Sequence, residues 1–178
     1  MKPPKMILFD YGQTLIHEPY FDGIRGSEAL LRHAVKNKNN LNAAYLRGFA
    51  DELFRRTDEV RQLGYETHNR VFNKFLYEYL ELEFSLSPLE TETVFWEAAA
   101  PGTPMPGIDR LLKYIDAHGI RSGVISNISF SGEALAERIN RLLPENRFEF
   151  IIASSEYMLR KPDKMLFELA LKKARLAS

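Results

Sequence analysis

Residues 6–10, MILFD, run four apolar side chains into a carboxylate, and this pattern limits the possible folds more than any other in the chain. A short apolar run bounded by turn chemistry is a strand covered on both faces, which places Met6 to Phe9 inside a parallel sheet. Asp10 then stands at the carboxyl end of that strand. In open α/β sheets ligands bind at this end, in the crevice left by the departing loops. Two further runs repeat the pattern. GVIS ends at Ser126 and Asn127, and FEFIIAS is a third strand, followed by Lys161 just ahead of a helix. Helical stripes separate them: Ile108, Leu111, Leu112 and Ile115 stop at Gly119, and Leu135, Ile139 and Leu142 follow a cap at Ser131 and end at Pro144. KPDKMLFELALKKA makes a last helix, with Asp163 at its positive end and Lys172 and Lys173 at its negative end. Strands alternating with helices predict a parallel sheet joined by right-handed crossovers.

Residues 22–100 have another texture. LNAAYLRGFADELF and NRVFNKFLYEYL carry apolar residues at helical spacing, and SLSPLETE supplies a full helix start, with Ser87 as N-cap, Pro88 in the first turn and Glu90 closing a capping box. The expected organisation is an α/β fold with a Rossmann-like core of residues 1–21 and 101–178 and an all-helical cap inserted at 22–100. In the 178 residues, 45% hydrophobic content with 12% aromatic suffices for a core. Twenty-four basic residues balance twenty-four acidic ones with no dense basic block, so nucleic acid is not an expected partner. The lack of cysteine excludes thiolate nucleophiles and Cys-ligated zinc. No apolar stretch approaches the roughly 20 residues of a membrane span, and MKPPK leads into a strand rather than a signal core. A cytoplasmic protein is expected, of undetermined oligomeric state.

Asp10, Ser126 and Lys161 stand at strand ends that share one sheet edge. Such a trio suits phosphoryl chemistry: a carboxylate to attack phosphorus, a hydroxyl for a non-bridging oxygen and an ammonium group for the transferring charge. Thr14 and Asn127 are candidate substrate contacts beside them. His17 and Glu18 follow the first strand closely enough to reach a leaving group, although Glu18 precedes Pro19 and both read more simply as loop residues. Tyr20 and Phe21 are candidates to wall a pocket, more simply read as packing. His33, His68 and His118 lack paired metal-ligand spacing, and Trp96 is expected in the core of the cap.

ILFDYGQTL, GVISN and SSEYMLRKPDKMLFELAL resemble the first three motifs of the haloacid dehalogenase-like hydrolase superfamily. The resemblance implies that Asp10 is the nucleophile, Ser126 the phosphoryl-binding hydroxyl and Lys161 the residue that steadies both. It implies Mg²⁺ held by the Asp10 carboxylate and the main-chain carbonyl of Gly12, and a small phosphorylated substrate. Two departures stand out. Where the family has a second acid that protonates the leaving group, this chain has Gly12, and Gln13 replaces the usual glycine. The family's fourth motif is an acidic pair that completes the magnesium site, and Ser178 comes before any such strand, so the core is expected to lack its last strands. The expected activity is a Mg²⁺-dependent phosphatase. The alternatives are a metal-independent dehalogenase-type hydrolase and a catalytically silent relative that binds a phosphorylated metabolite or a partner.

Overall fold

The structure, a computed structural model, describes residues 4–176. β1 (Met6–Phe9) leads through a tight loop into the two-residue β2 (Ile16–His17). There follow α1 (Gly23–Leu31), β3 (Ala34–Asn37), α2 (Ala43–Gln62), α3 (Asn69–Tyr79), β4 (Leu82–Phe84) and α4 (Pro88–Ala99). β5 (Thr103–Pro104) returns to pair with β2, and α5 (Ile108–Ala117), β6 (Arg121–Ser126), α6 (Gly132–Leu142), β7 (Ile151–Ala153) and α7 (Lys164–Lys173) complete the described chain.

The fold is α/β. Its main sheet is parallel, in the order β1-β6-β7, with Phe9 opposite Val124 and Ser126 opposite Ala153. β6 lies in the middle and is buried from Ser122 to Ser126. That position explains why the residues from Ser122 to Ser126 are small or apolar and carry no charge. One face of the sheet packs Phe9 and Val124 against Leu135 and Ile139 of α6. The other packs Ile125 and Ile152 against Leu166 and Ala170 of α7. The three strands therefore bring their carboxyl ends to one edge between two helical layers. Caps fall where the sequence places them: Ser87 with Glu90 on α4, Ser131 on α6 and Asp163 on α7. Gly119 takes φ +63° after α5, a conformation that favours glycine.

Three expectations need correction. Residues 22–100 are not wholly helical, because β3 and β4 form an antiparallel ribbon, with Asn37 opposite Leu82 and a Lys36–Glu83 ion pair at 2.5 Å. Strands of three and four residues are too short to leave a period in the sequence. The third core strand is confined to Ile151–Ala153; Phe148 instead packs on Phe9 and the Phe150 ring lies against Gly123. Trp96 belongs to the main core rather than to the helical segment's own. It stacks on Phe130, with ring centres 4.1 Å apart, and meets Tyr11 edge-on at 5.6 Å, because α4 packs on α6 as well as α1. The core of the helical segment is a separate cluster of Leu46, Leu76, Leu80 and Leu82. Among the described residues no helix is long and apolar enough to cross a membrane.

Candidate active site

Asp10 is fixed at the end of β1 by two contacts on one oxygen. Its Oδ1 accepts from the Tyr11 N–H at 2.8 Å and faces Lys161 Nζ at 2.9 Å. Oδ2 has no partner among the described residues and stays open to a ligand. Lys161 is held in turn. Its Nζ donates to the Ile125 carbonyl at 2.8 Å, and Asn127 clamps its main chain, accepting from Lys161 N at 2.6 Å and donating to its carbonyl at 2.9 Å. Residues 34 apart in sequence are thus locked across the β6 and β7 ends. Ser126 is buried at the end of β6, and its hydroxyl makes no hydrogen bond to another described residue. Asp10, Gly12, Ser126 and Asn127 line one pocket of about 360 Å³, together with Phe21 and Phe130.

The structure brings Asp10, Ser126 and Lys161 together. Asn127 reaches the same pocket, but its amide is engaged by Lys161, which makes it a positioning residue. Thr14 is exposed and does not line the pocket, because the loop after β1 folds back on the Tyr11 carbonyl, which accepts from Leu15 N at 2.9 Å and Ile16 N at 3.1 Å. His17 is exposed, bonded through Nδ1 to Gln13 at 2.9 Å, and also outside the pocket lining.

Glu18, in the loop that follows β2, does line it. Its Oε1 accepts from Tyr11 Oη at 2.9 Å, Trp96 Nε1 at 3.0 Å and Arg138 at 3.0 Å. Oε2 has no partner among the described residues. Burial, and then the charge of Glu18, push the Tyr11 phenol well above its ordinary range, so it serves Glu18 as a neutral donor. Arg138, with a side chain 2% exposed, also bonds Tyr11 Oη at 2.7 Å, pairs with Glu97 and lies over the Trp96 ring. Those partners lie 78 and 120 residues from Glu18 in sequence, which is why spacing alone did not reveal them. Replacing Arg138 by leucine takes the buried cationic donor from Glu18 and leaves Glu97 to Arg141 alone. The expected cost is about 3–5 kcal/mol of stability, read as a lowered midpoint in urea unfolding.

Among the described residues no three His, Asp or Glu side chains form a metal cage. Two oxygens of the site are nevertheless free: Asp10 Oδ2 and the Gly12 carbonyl, neither of which accepts a hydrogen bond from a described residue. Magnesium is commonly held by one or two carboxylates, with water and substrate phosphate filling the remaining positions. Asp10 and Gly12 match the protein's minimal share of such a site.

The family model of the haloacid dehalogenase-like hydrolases matches residues 97–178. Similar solved structures extend the likeness over nearly the whole chain. A HAD family enzyme from Bacteroides thetaiotaomicron is 17% identical with a TM-score of 0.56, over 99% of this chain and 81% of that one. A 2-haloacid dehalogenase from Pseudomonas syringae pv. Tomato is 20% identical with a TM-score of 0.59, over 97% and 73%. A HAD-superfamily hydrolase from Ehrlichia chaffeensis is 21% identical with a TM-score of 0.50, over 99% and 75%. A search of curated proteins gave no match. Residues 97–178 thus match the haloacid dehalogenase-like hydrolase family, and the solved structures share the fold over nearly the whole chain.

Proposed function

We propose that this hydrolase is a cytoplasmic, Mg²⁺-dependent phosphatase of a small phosphomonoester, working through an aspartyl phosphate on Asp10. The observation that carries the reading is the pairing of two carboxylates in one pocket, each with one oxygen held and the other open. In the first step the Asp10 carboxylate attacks phosphorus, the P–O bond to the alcohol breaks, and Glu18, protonated on its open Oε2 while Oε1 stays with Arg138, gives that proton to the departing oxygen. In the second step water attacks the aspartyl phosphate, its proton passes to Glu18, and Asp10 and inorganic phosphate are released. Ser126 donates to a non-bridging oxygen. Lys161 keeps the carboxylate aligned and offsets charge on the transferring group. Magnesium, held by Asp10 and the Gly12 carbonyl, would supply further neutralisation of the phosphoryl oxygens.

A second reading, attack of Asp10 on a carbon bearing halogen, is favoured by one observation: Lys161 and the Tyr11 N–H already complete a nucleophile with a single free oxygen. A departing halide has no use for a proton, and the poised Glu18 therefore speaks for the ester. Turnover of a panel of phosphate monoesters and of 2-haloacids, each with Mg²⁺ and with chelator, tests the reading. Metal-dependent phosphate release is expected. Metal-independent halide release in its place overturns it, and ligand affinity without turnover identifies a silent binder.

A further inference from the structure

A second cavity of about 370 Å³ lies among α1, α2, α3 and α4, and Phe21, Ser129 and Phe130 line both it and the Asp10 pocket. Its walls are mainly apolar, with Leu46, Phe54, Phe72, Leu76 and Phe95. The charged groups on it, Arg47 and Asp51, neutralise each other as an ion pair. Six uncharged polar residues, Ser27, Thr67, Asn69, Asn73, Tyr77 and Ser129, also line the walls. Burial, and then the Glu92 charge, raise the Tyr77 phenol far above its usual range, so it stays neutral.

Thr67 is the informative one. Its Oγ1 is buried and has no hydrogen-bond partner, a condition that ordinarily costs stability and calls for an explanation. The backbone around it is tightly placed: Glu66 N donates to the Met158 carbonyl at 2.8 Å and Asn69 N to the Ser129 carbonyl at 2.8 Å. Thr67 is held at the cavity by the core rather than left there by a loose loop.

Resting on the phosphatase reading, we infer that this cavity takes the alcohol part of the substrate, and that this part is a neutral, ring-sized apolar group carrying one hydroxyl or amide that pairs with Thr67. A cavity of roughly 150 Å³ can hold one benzene ring, so the space suits one ring with substituents or two fused rings. No unpaired charge lines it among the described residues, and a carboxylate or second phosphate there would be buried without a counter-ion.

The test measures binding of the alcohols separately from turnover. Calorimetry with the full chain and benzyl, hydroxybenzyl and carboxybenzyl alcohols should give the tightest binding for hydroxybenzyl and none for carboxybenzyl. Thr67→Val is nearly isosteric and removes an unsatisfied hydroxyl. It should leave the thermal midpoint unchanged or raised, weaken hydroxybenzyl alcohol about tenfold and leave benzyl alcohol unaffected. Ala50→Phe, which fills the cavity, should remove binding of both. The same order is expected in kcat/KM for the corresponding phosphates. Equal binding by Thr67→Val and the parent chain, a preference for carboxybenzyl alcohol, or binding undiminished in Ala50→Phe overturns the inference. Alcohol binding in this order without any phosphate release would instead fail the phosphatase reading and leave the cavity assignment standing.

Discussion

Asp10→Asn is expected to remove turnover, by roughly 10⁴-fold or more, with the fold intact. The amide keeps the shape of the side chain and can still accept from the Tyr11 N–H, but it is no nucleophile. Its stability cost is confined to the half-exposed pair with Lys161, about 1 kcal/mol or less. Circular dichroism and the thermal midpoint should match the parent chain while phosphate release falls to background. Full activity in the asparagine variant would place the covalent chemistry elsewhere.

Glu18→Gln should produce the second largest loss, and one that depends on the leaving group. General acid help contributes roughly 10² to 10⁴ in rate, most for alkyl esters and least for aryl esters, whose oxygens depart without a proton. Alkyl phosphates should slow about 10²-fold or more, while aryl phosphates change little. The glutamine can still accept from Trp96 and Arg138, so a uniform loss on all esters, tracking a lowered thermal midpoint, would mean that Glu18 only supports the core. Gly12→Asp sharpens the test. A Cβ at Gly12 meets nothing within 4 Å, so the backbone there has room for a substitution, and the acid should restore part of the alkyl rate in the Glu18→Gln background. His17→Ala should change little, because His17 lies outside the pocket lining and is bonded to Gln13.

The sequence made the sheet edge readable because each core strand is a short apolar run ending in a polar residue, and parallel topology carries those ends to one place. Asp10, Ser126 and Lys161 could be proposed together on that ground, and Lys161 does contact Asp10. The helical segment was readable wherever apolar residues recur at i and i+4. Its small ribbon was not, since β3 and β4 pair across some fifty residues on too few positions to show alternation. Glu18 could be named as within reach of a leaving group, but what holds it could not be read, for a related reason. Its surroundings are made by Tyr11, Trp96 and Arg138, and only the packing of α4 and α6 behind the loop brings the last two to it. Trp96 reads from its neighbours as part of the helical segment, yet it lines the site and stacks on Phe130. The roles of Asn127 and Thr67 are likewise tertiary: one clamps Lys161, and the other is a hydroxyl left unpaired at a cavity wall.

The central claim is that Asp10 carries the transferred group. The direct measurement is to quench the full chain in acid during turnover of an aryl phosphate, digest it, and weigh the peptide that contains Asp10. That peptide should be heavier by one phosphoryl group, unmodified in Asp10→Asn, and more fully modified in Glu18→Gln, where the attacking water has lost its base. Product formation with the Asp10 peptide unmodified, or with the phosphoryl group on another residue, would contradict the account.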